Sequence, residues 1–354
     1  MLGENVQAKE YGVLLPHFGE HASRESVLRG AVLAEELGFD AVWVRDHVVF
    51  HPHHHEGQNP TFMDPMTVLA AVSAVTDRIK LGTGCLIPHR HPVHTALLFG
   101  SLAVLAGSDR IIVGVGLGSF DHEFDIVGMS EWDRRVVMQE QVEILRKLWT
   151  GKTVSHAGEY YQFTDADIHP TPYAHDLPIW YSGTSLASLR RAVEYCDGWI
   201  PGRMPRRTFR QRVERLETLA EAAGKPRPRV GVIPYTSPGR TMEEAKGAFD
   251  LQALIDEARR RYALPDGGVI SELEHLDGAI IAGPPENIAA EVRAFEDAGC
   301  EHFVFDLRLR FDAWEACLRI IGEEVLPQLR GNREADPGVG GWTSITNSGR
   351  PVVA

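Results

Sequence analysis

Apolar residues follow two rhythms along the chain. Short apolar runs at 11–16, 41–48, 79–87, 111–116, 179–182, 198–201, 230–235 and 302–306 read as eight buried strands. Between them the period is helical. Val27, Ala31, Ala34 and Leu37 share one face of a helix over 23–37, and helices follow at 65–76, 92–105, 134–149, 186–195, 208–223 and 286–298. Ser23 is an acceptable N-cap, Gly38 closes the first helix, and Asp64-Pro65 opens the second in the favoured order of capping acid and N1 proline.

Eight strands alternating with helices, without a repeat in two independent halves, predict one α/β domain over residues 1–330: a (β/α)8 TIM barrel with insertions at its C-terminal face. A doubly wound open sheet is the structural competitor. Residues 153–178 hold aromatic and β-branched side chains, three prolines and no helical period, so they read as an insertion. The charged, weakly periodic stretch 241–276 reads as a second, helical insertion near the barrel mouth and a mobile lid. Glycine and small polar residues over 331–354 predict a tail.

Composition narrows the function classes. Hydrophobic residues at 44% and charged residues at 24% leave ample material for a core, and the net charge of −13 argues against a nucleic-acid partner. The one basic run, 203–212, reads as a solvated helix start. Cys85, Cys196, Cys300 and Cys317 form no CxxC pair, which suggests a reducing compartment. The first ten residues contain no apolar signal core and no segment carries 18 consecutive apolar residues, so the expected location is the cytoplasm, away from the membrane.

In a barrel of this kind, chemistry belongs at the C-terminal ends of the strands. The predicted ends of the first four strands carry His17, Asp46 with His47, His89 with His91, and His122 with Glu123. A carboxylate beside an imidazole can orient a cofactor and move a proton, which makes Asp46 and His47 the candidate catalytic pair. His51, His53, His54 and His55 invite a metal reading and, with it, a barrel hydrolase. They sit in a proline-bearing loop rather than on a strand, so no metal is expected. Gly114, Gly116 and Gly118 miss the dinucleotide fingerprint, because Ser119 follows and no helix opens directly after the turn. Small residues there admit neighbouring side chains or a flat ring close to the strand. Ser182, Gly183, Thr184 and Ser185 precede a helix, where hydroxyls and free N–H groups suit either a phosphate or an ordinary N-cap.

The ordered set Ala34-Glu-Glu-Leu-Gly-Phe-Asp-Ala-Val-Trp-Val-Arg-Asp-His47, Asp64-Pro-Met-Thr-Val-Leu69, Thr76-Asp-Arg-Ile-Lys-Leu-Gly-Thr-Gly84, Arg90-His-Pro92, Gly114-Val-Gly-Leu-Gly118, Pro178-Ile-Trp180, Asp197-Gly-Trp199 and Gly283-Pro-Pro-Glu286 resembles the luciferase-like monooxygenase family. The resemblance runs from residue 11 to about 327 and is closest to the branch that depends on the deazaflavin coenzyme F420. It implies an oxidoreductase that moves hydride between that cofactor and a small organic substrate. The alternative is an FMN-dependent two-component monooxygenase served by a flavin reductase.

By this resemblance Asp46 contacts the cofactor ring and His47 handles the proton, and a non-prolyl cis peptide behind the ring falls at Cys85-Leu86. Ser182, Gly183 and Thr184, with Ser185, match the phosphate turn, and His122 joins the cofactor residues. His17, His89, His91, Ser119 and Glu123 are placed in the substrate pocket, and Trp43 and Trp180 near the site. A homodimer through the apolar helices at 65–75 and 93–105 is implied as well. Two departures stand out. The sugar-phosphate dehydrogenases of the branch carry a glutamate where this chain has Ser119, so sugar oxidation does not carry over, and the family's Trp-x-Gly-Gly is Trp180-Tyr-Ser-Gly183 here.

Overall fold

A computed structural model describes residues 8–52, 56–173, 176–261 and 269–331 of the chain. Eight parallel strands close a barrel in chain order: β1 (Glu10–Leu14), β2 (Ala41–Val44), β3 (Lys80–Thr83), β4 (Ile111–Val115), β5 (Ile179–Tyr181), β6 (Gly198–Trp199), β7 (Arg229–Val232) and β8 (His302–Phe305), which returns to β1. Helices α1 (Arg24–Glu36), α2 (Pro65–Ser73), α3 (Pro92–Ala106), α4 (Asp121–Ile126), α5 (Arg134–Trp149), α6 (Leu186–Tyr195) and α7 (Arg206–Ala223) fill the connections, and a further helix, Pro285–Glu296, precedes β8. The eight strands are those the apolar runs predict. The open sheet is excluded by closure.

Alternation within each strand decides what faces where. On β2, Val42 and Val44 join the layer between barrel and helices, packed among residues such as Leu69, Phe99 and Leu145, while Trp43 points into the barrel. Trp43 sits opposite Gly82 across the β2–β3 pair, and Trp180 opposite Gly198 across β5–β6. The two indoles fill the interior because their neighbours have no side chains. A Cβ on Gly82 would lie 2.5 Å from the Trp43 ring, and one on Gly198 would lie 2.4 Å from Trp180. Both tryptophans are therefore buried under the site rather than on its wall.

The caps follow the sequence. Ser23 accepts from the Ser26 backbone at α1, Asp64 accepts from Thr67 at α2, and Gly38 takes a left-handed φ of 84° just past α1.

One local expectation is corrected and three are filled in. The run 230–235 is not one strand: β7 ends at Val232, and after Pro234 the chain leaves the barrel as Tyr235–Pro238, pairing in parallel with Ile280–Gly283. Proline offers no N–H to continue a ladder, which is the physical reason for the break. Residues 153–178 contain an antiparallel hairpin, Val154–Ala157 with Gln162–Ala166. The loop after β4 forms α4 two residues beyond Ser119, so a helix does open close behind the glycines. The insertion at 241–276 holds helices Met242–Gly247 and Leu251–Arg261 over a small core of its own, including Tyr235, Leu254, Leu273 and Ile280; residues 262–268 lie outside the described residues. The same is true of the tail over 332–354 and of His53, His54 and His55.

Candidate active site at the barrel mouth

The loops that leave β2 through β8 converge on one cavity of about 690 Å³. β2 sends Arg45, Asp46 and His47; β3 sends Gly84 and Cys85; β4 sends Gly116 to Phe120. On the far side stand Ser182 to Ser185 after β5, Arg203 after β6, Ile233 after β7, and Asp306 and Arg308 after β8. This is the face where strand ends present side chains without taking part in the barrel ladder.

Asp46 and His47 are adjacent in sequence but have different partners. Asp46 is buried, its Oδ1 accepts from Arg90 Nη2 at 2.8 Å, and its Oδ2 accepts from Ile87 N at 3.0 Å and from Arg90 Nη1. Arg90 reaches on to Asp64, the cap of α2, at 2.8 Å. Three donors make Asp46 an anchor that ties the β2 loop to the β3 loop.

His47 lies between opposite charges. Its Nδ1 is 3.1 Å from Glu123 Oε2, and its Nε2 is 3.1 Å from Arg45 Nη2. A carboxylate can only accept and a guanidinium can only donate, so the hydrogen is assigned to Nδ1 and the Nε2 lone pair is left facing Arg45. Burial pushes the His47 pKa down and its hydrogen bond to Glu123 opposes this, with the net shift downward. Glu123 is fully buried and accepts also from the backbone of Val48, at 2.7 Å, and Val49, at 3.2 Å. Phe50 and Phe62 flank the imidazole, with ring centroids 5.4 and 5.1 Å away. The ring is thus held dry, oriented and favoured as the neutral form.

A charged belt continues from there. Arg45 Nη1 bonds Glu56 at 3.0 Å, Glu56 accepts from Arg308 at 2.6 Å, and Arg308 bonds Asp306 at 2.5 Å. Burial, then the neighbouring Arg308 cation, pulls Arg45 down to about 10.

The cradle between the two walls lacks side chains. A Cβ on Gly116 would come 2.4 Å from Cys85 Sγ, so this backbone approaches the β3 loop as only glycine can. The non-prolyl cis peptide is Gly84-Cys85, one bond earlier than Cys85-Leu86. Leu86 instead continues the ladder, donating to Gly114 O at 2.8 Å and accepting from Gly116 N at 3.0 Å, and so faces away from the cavity wall. Burial raises the Cys85 thiol to about 11, which keeps it protonated.

At the far wall the serine-rich turn realises the N-cap reading. Ser185 caps α6 by accepting from Ser188 N at 3.2 Å, and Gly183, with φ 151°, adopts a conformation that glycine tolerates. None of the described residues accepts from the backbone N–H of Gly183, Thr184 or Ser185. A flat ring against Gly84, Cys85 and Gly116, with a phosphate on these N–H groups, fits the donor set and the space.

Of the expected site residues, Asp46, His47, Cys85, Ser119, Ser182, Gly183, Thr184 and Ser185 line the cavity. Glu123 is not a pocket residue but the partner of His47. His17 is buried below: Nδ1 donates to Leu15 O at 2.9 Å, Nε2 accepts from Arg45 N at 3.0 Å, and burial pushes its pKa down to about 3. His89 stands behind Asp46, 3.6 Å away, and His91 is an exposed cap of α3. His122 donates to Val49 O at 3.0 Å and stacks on His51, which holds the β2 loop.

Sequence reasoning missed Arg45, Arg191, Arg203, Asp306 and Arg308, all on the cavity wall. Arg203 belonged to the run read as a solvated helix start, and the dipeptide Arg45-Asp46 was the available signal for Arg45. Among the described residues no group of three or more His, Cys, Asp or Glu could hold a metal ion, and no helix is long and apolar enough to cross a membrane.

The closed (β/α)8 barrel, with one cavity where its strand-end loops meet, sets the class of fold to which the chain is compared. The chain belongs to the luciferase-like monooxygenase family, whose model matches residues 10–302. Over 329 residues it is 30% identical to an F420-dependent glucose-6-phosphate dehydrogenase of Nakamurella multipartita, covering 85% of this chain and 91% of that one. Two solved structures share the fold at a TM-score of 0.73. One is an F420-dependent secondary alcohol dehydrogenase with an F420-acetone adduct, 22% identical, covering 92% of this chain and 100% of its own. The other is the FMN-bound oxygenating constituent of 3,6-diketocamphane monooxygenase from Pseudomonas putida, 21% identical, covering 91% and 99%.

Proposed function

We propose that this protein is a deazaflavin (F420)-dependent oxidoreductase in which His47 manages the proton that accompanies hydride transfer to or from a small hydroxyl- or carbonyl-bearing substrate. The observation that carries this reading is the imidazole held by Glu123 beside the glycine cradle. The deazaflavin, when bound, supplies the hydride acceptor or donor. Gly84, Cys85 and Gly116 provide the surface for its ring, and the Gly183 to Ser185 N–H groups provide the donors for its phosphate. In the oxidising direction, His47 takes the substrate hydroxyl proton at Nε2 once Arg45 yields that lone pair; in the reducing direction it returns the proton. Phe50 and Phe62 exclude water around the imidazole, and Asp46, fixed by Arg90, holds the loop that carries it.

The identity of 30% to an F420-dependent dehydrogenase supports the deazaflavin over FMN. Parallel titration of the protein with F420 and with FMN, read by tryptophan fluorescence, tests the assignment, since Trp43 lies directly behind Gly84 at the cavity floor. Selective F420 saturation is the expected result. Selective FMN binding with reductase-coupled oxygen uptake would move the protein to the two-component monooxygenases. The reading extends to a cytoplasmic enzyme supplied with reduced cofactor by a separate reductase, and to a homodimer. Leu97, Val104 and Leu105 on α3, with Val75 after α2, expose apolar surface that supports such pairing.

A further inference from the structure

The charged belt beside His47 is not shared out evenly. Arg308 has two carboxylates: Nη1 bonds Glu56 at 2.6 Å, while Nε and Nη2 take both oxygens of Asp306, at 2.8 and 2.5 Å. Among the described residues Arg45 meets one carboxylate oxygen, the Glu56 Oε1 that Arg308 already holds, and its Nη2 rests on His47 Nε2 at 3.1 Å. A guanidinium bonds a carboxylate more strongly than a neutral imidazole. The carboxylates around it are taken, since Asp46 is bound by Arg90 and Glu123 by His47, Val48 and Val49. Arg45 therefore lines the cavity as the cation of the belt with a charged partner still to gain. Phe18 and Phe50, with ring centroids 4.7 and 5.6 Å from its guanidinium carbon, keep it beside the imidazole.

We propose that Arg45 and His47 together read an α-hydroxy acid or its α-oxo acid partner, Arg45 taking the substrate carboxylate and His47 the oxygen on the adjacent carbon. The inference rests on the deazaflavin reading and names its substrate class. Two substrate oxygens that meet atoms 3.1 Å apart fit neighbouring carbons, and a planar carboxylate fits the edge of a guanidinium. Turning Nη2 to that carboxylate uncovers the Nε2 lone pair. Burial first, and then the Arg45 cation, hold the His47 pKa down, and the bound carboxylate offsets the second. In the oxidising direction the substrate C–H electron pair passes as hydride to the oxidised deazaflavin, the O–H proton passes to Nε2, and the carbonyl of the α-oxo acid forms. The substrate loses two electrons and the cofactor gains them; reduction runs the same transfers backwards. A neutral alcohol leaves Arg45 on the imidazole and the base covered.

The test follows oxidation of reduced F420 under nitrogen by the intact protein, with F420 binding measured separately by fluorescence titration. The substrates are pyruvate and phenylpyruvate, each beside its primary amide, and acetoacetate, whose carboxylate lies one carbon further out. Wild type is expected to reduce at least one α-oxo acid with kcat/KM about 100-fold or more above its amide, and acetoacetate no better than the amides. Arg45→Gln removes the carboxylate partner and the cover on Nε2 together, so the acid loses about 100-fold, mainly through KM, while the amide does not fall. Arg45→Lys keeps part of the preference, and thermal melts confirm folding of both variants. Equal use of acids and amides by wild type, no reduction of any α-oxo acid by protein that binds F420, or equal losses for acid and amide in Arg45→Gln overturns the substrate class and leaves the deazaflavin reading intact. Failure to bind F420 overturns both.

Discussion

The two walls of the cavity differ in how far the protein satisfies itself. On the β2–β4 side, Asp46 accepts three hydrogen bonds from Arg90 and Ile87, Glu123 accepts three from His47, Val48 and Val49, and both nitrogens of His47 are engaged. On the β5 side, the N–H groups of Gly183, Thr184 and Ser185 find no acceptor among the described residues. The first wall is held in place by its own hydrogen bonds, of which the Arg45 contact with His47 Nε2 is the one that must open for proton transfer. The second is incomplete by itself, as a surface that recognises an anion must be. Within one cavity, one wall satisfies its own polar groups and the other leaves donors without acceptors among the described residues.

The contrast can be broken from either side. The largest effect is expected at His47. His47→Ala keeps cofactor affinity, because the anion wall is untouched, and lowers kcat on the order of 10²–10⁴-fold in steady-state assays; turnover at the wild-type rate would remove the imidazole from the mechanism. Arg90→Met leaves the buried Asp46 carboxylate without its main partner and costs about 3–5 kcal/mol of stability by urea denaturation. A loss below about 1 kcal/mol would show that Asp46 is not anchored as described.

Glu123→Gln separates orientation from packing. The amide keeps the volume and can still accept from Val48 and Val49, but it turns its NH2 toward His47 Nδ1 and favours the wrong tautomer. We expect kcat to fall about 100-fold, less than for loss of the ring itself. Because Glu123 raises the His47 pKa, its removal also moves the acidic limb of the rate profile to lower pH. An unshifted pH profile would assign Glu123 a purely structural role.

A last effect is on pH-dependent stability. His17 is buried in the neutral form with its pKa lowered from 6.5 to about 3, so below pH 6.5 the unfolded chain binds a proton that the native chain does not. His17 therefore contributes stability that is present above pH 6.5 and is lost, at up to about 1.4 kcal/mol per pH unit, as pH falls toward 3. Burial lowers His47, His89 and His302 as well and adds loss in the same direction. Unfolding free energies that stay level from pH 6.5 to 4 would contradict this.

Much of the architecture was legible before the structure. The eight apolar runs are the eight barrel strands, and the caps at Ser23 and Asp64 hold as read. Ile280–Gly283 was missed because four apolar residues carry no period, and only pairing with Tyr235–Pro238 makes them a strand. Half of the site was legible too. Asp46, His47 and the turn at Ser182 to Ser185 were found because strand ends and a helix start are positions that local pattern reveals. The histidines at 17, 89 and 91 were placed in the pocket, and His122 with the cofactor, because a strand end fixes a neighbourhood but not a direction. His17 turned inward to bond Arg45, and His122 turned to the β2 backbone.

By itself, then, the sequence determined the order of elements, the face of the barrel that carries function, and which residue types arrive there, because these depend on periods and caps a few residues long. Only the tertiary structure decided who meets whom: Glu123 with His47 from 76 positions away, Arg90 with Asp46 from 44, and Arg308 with Glu56 from 252. Those pairings depend on barrel closure, which brings distant strand ends within hydrogen-bond reach, and on burial, which makes a charge left unpaired there costly. No spacing along the chain encodes either.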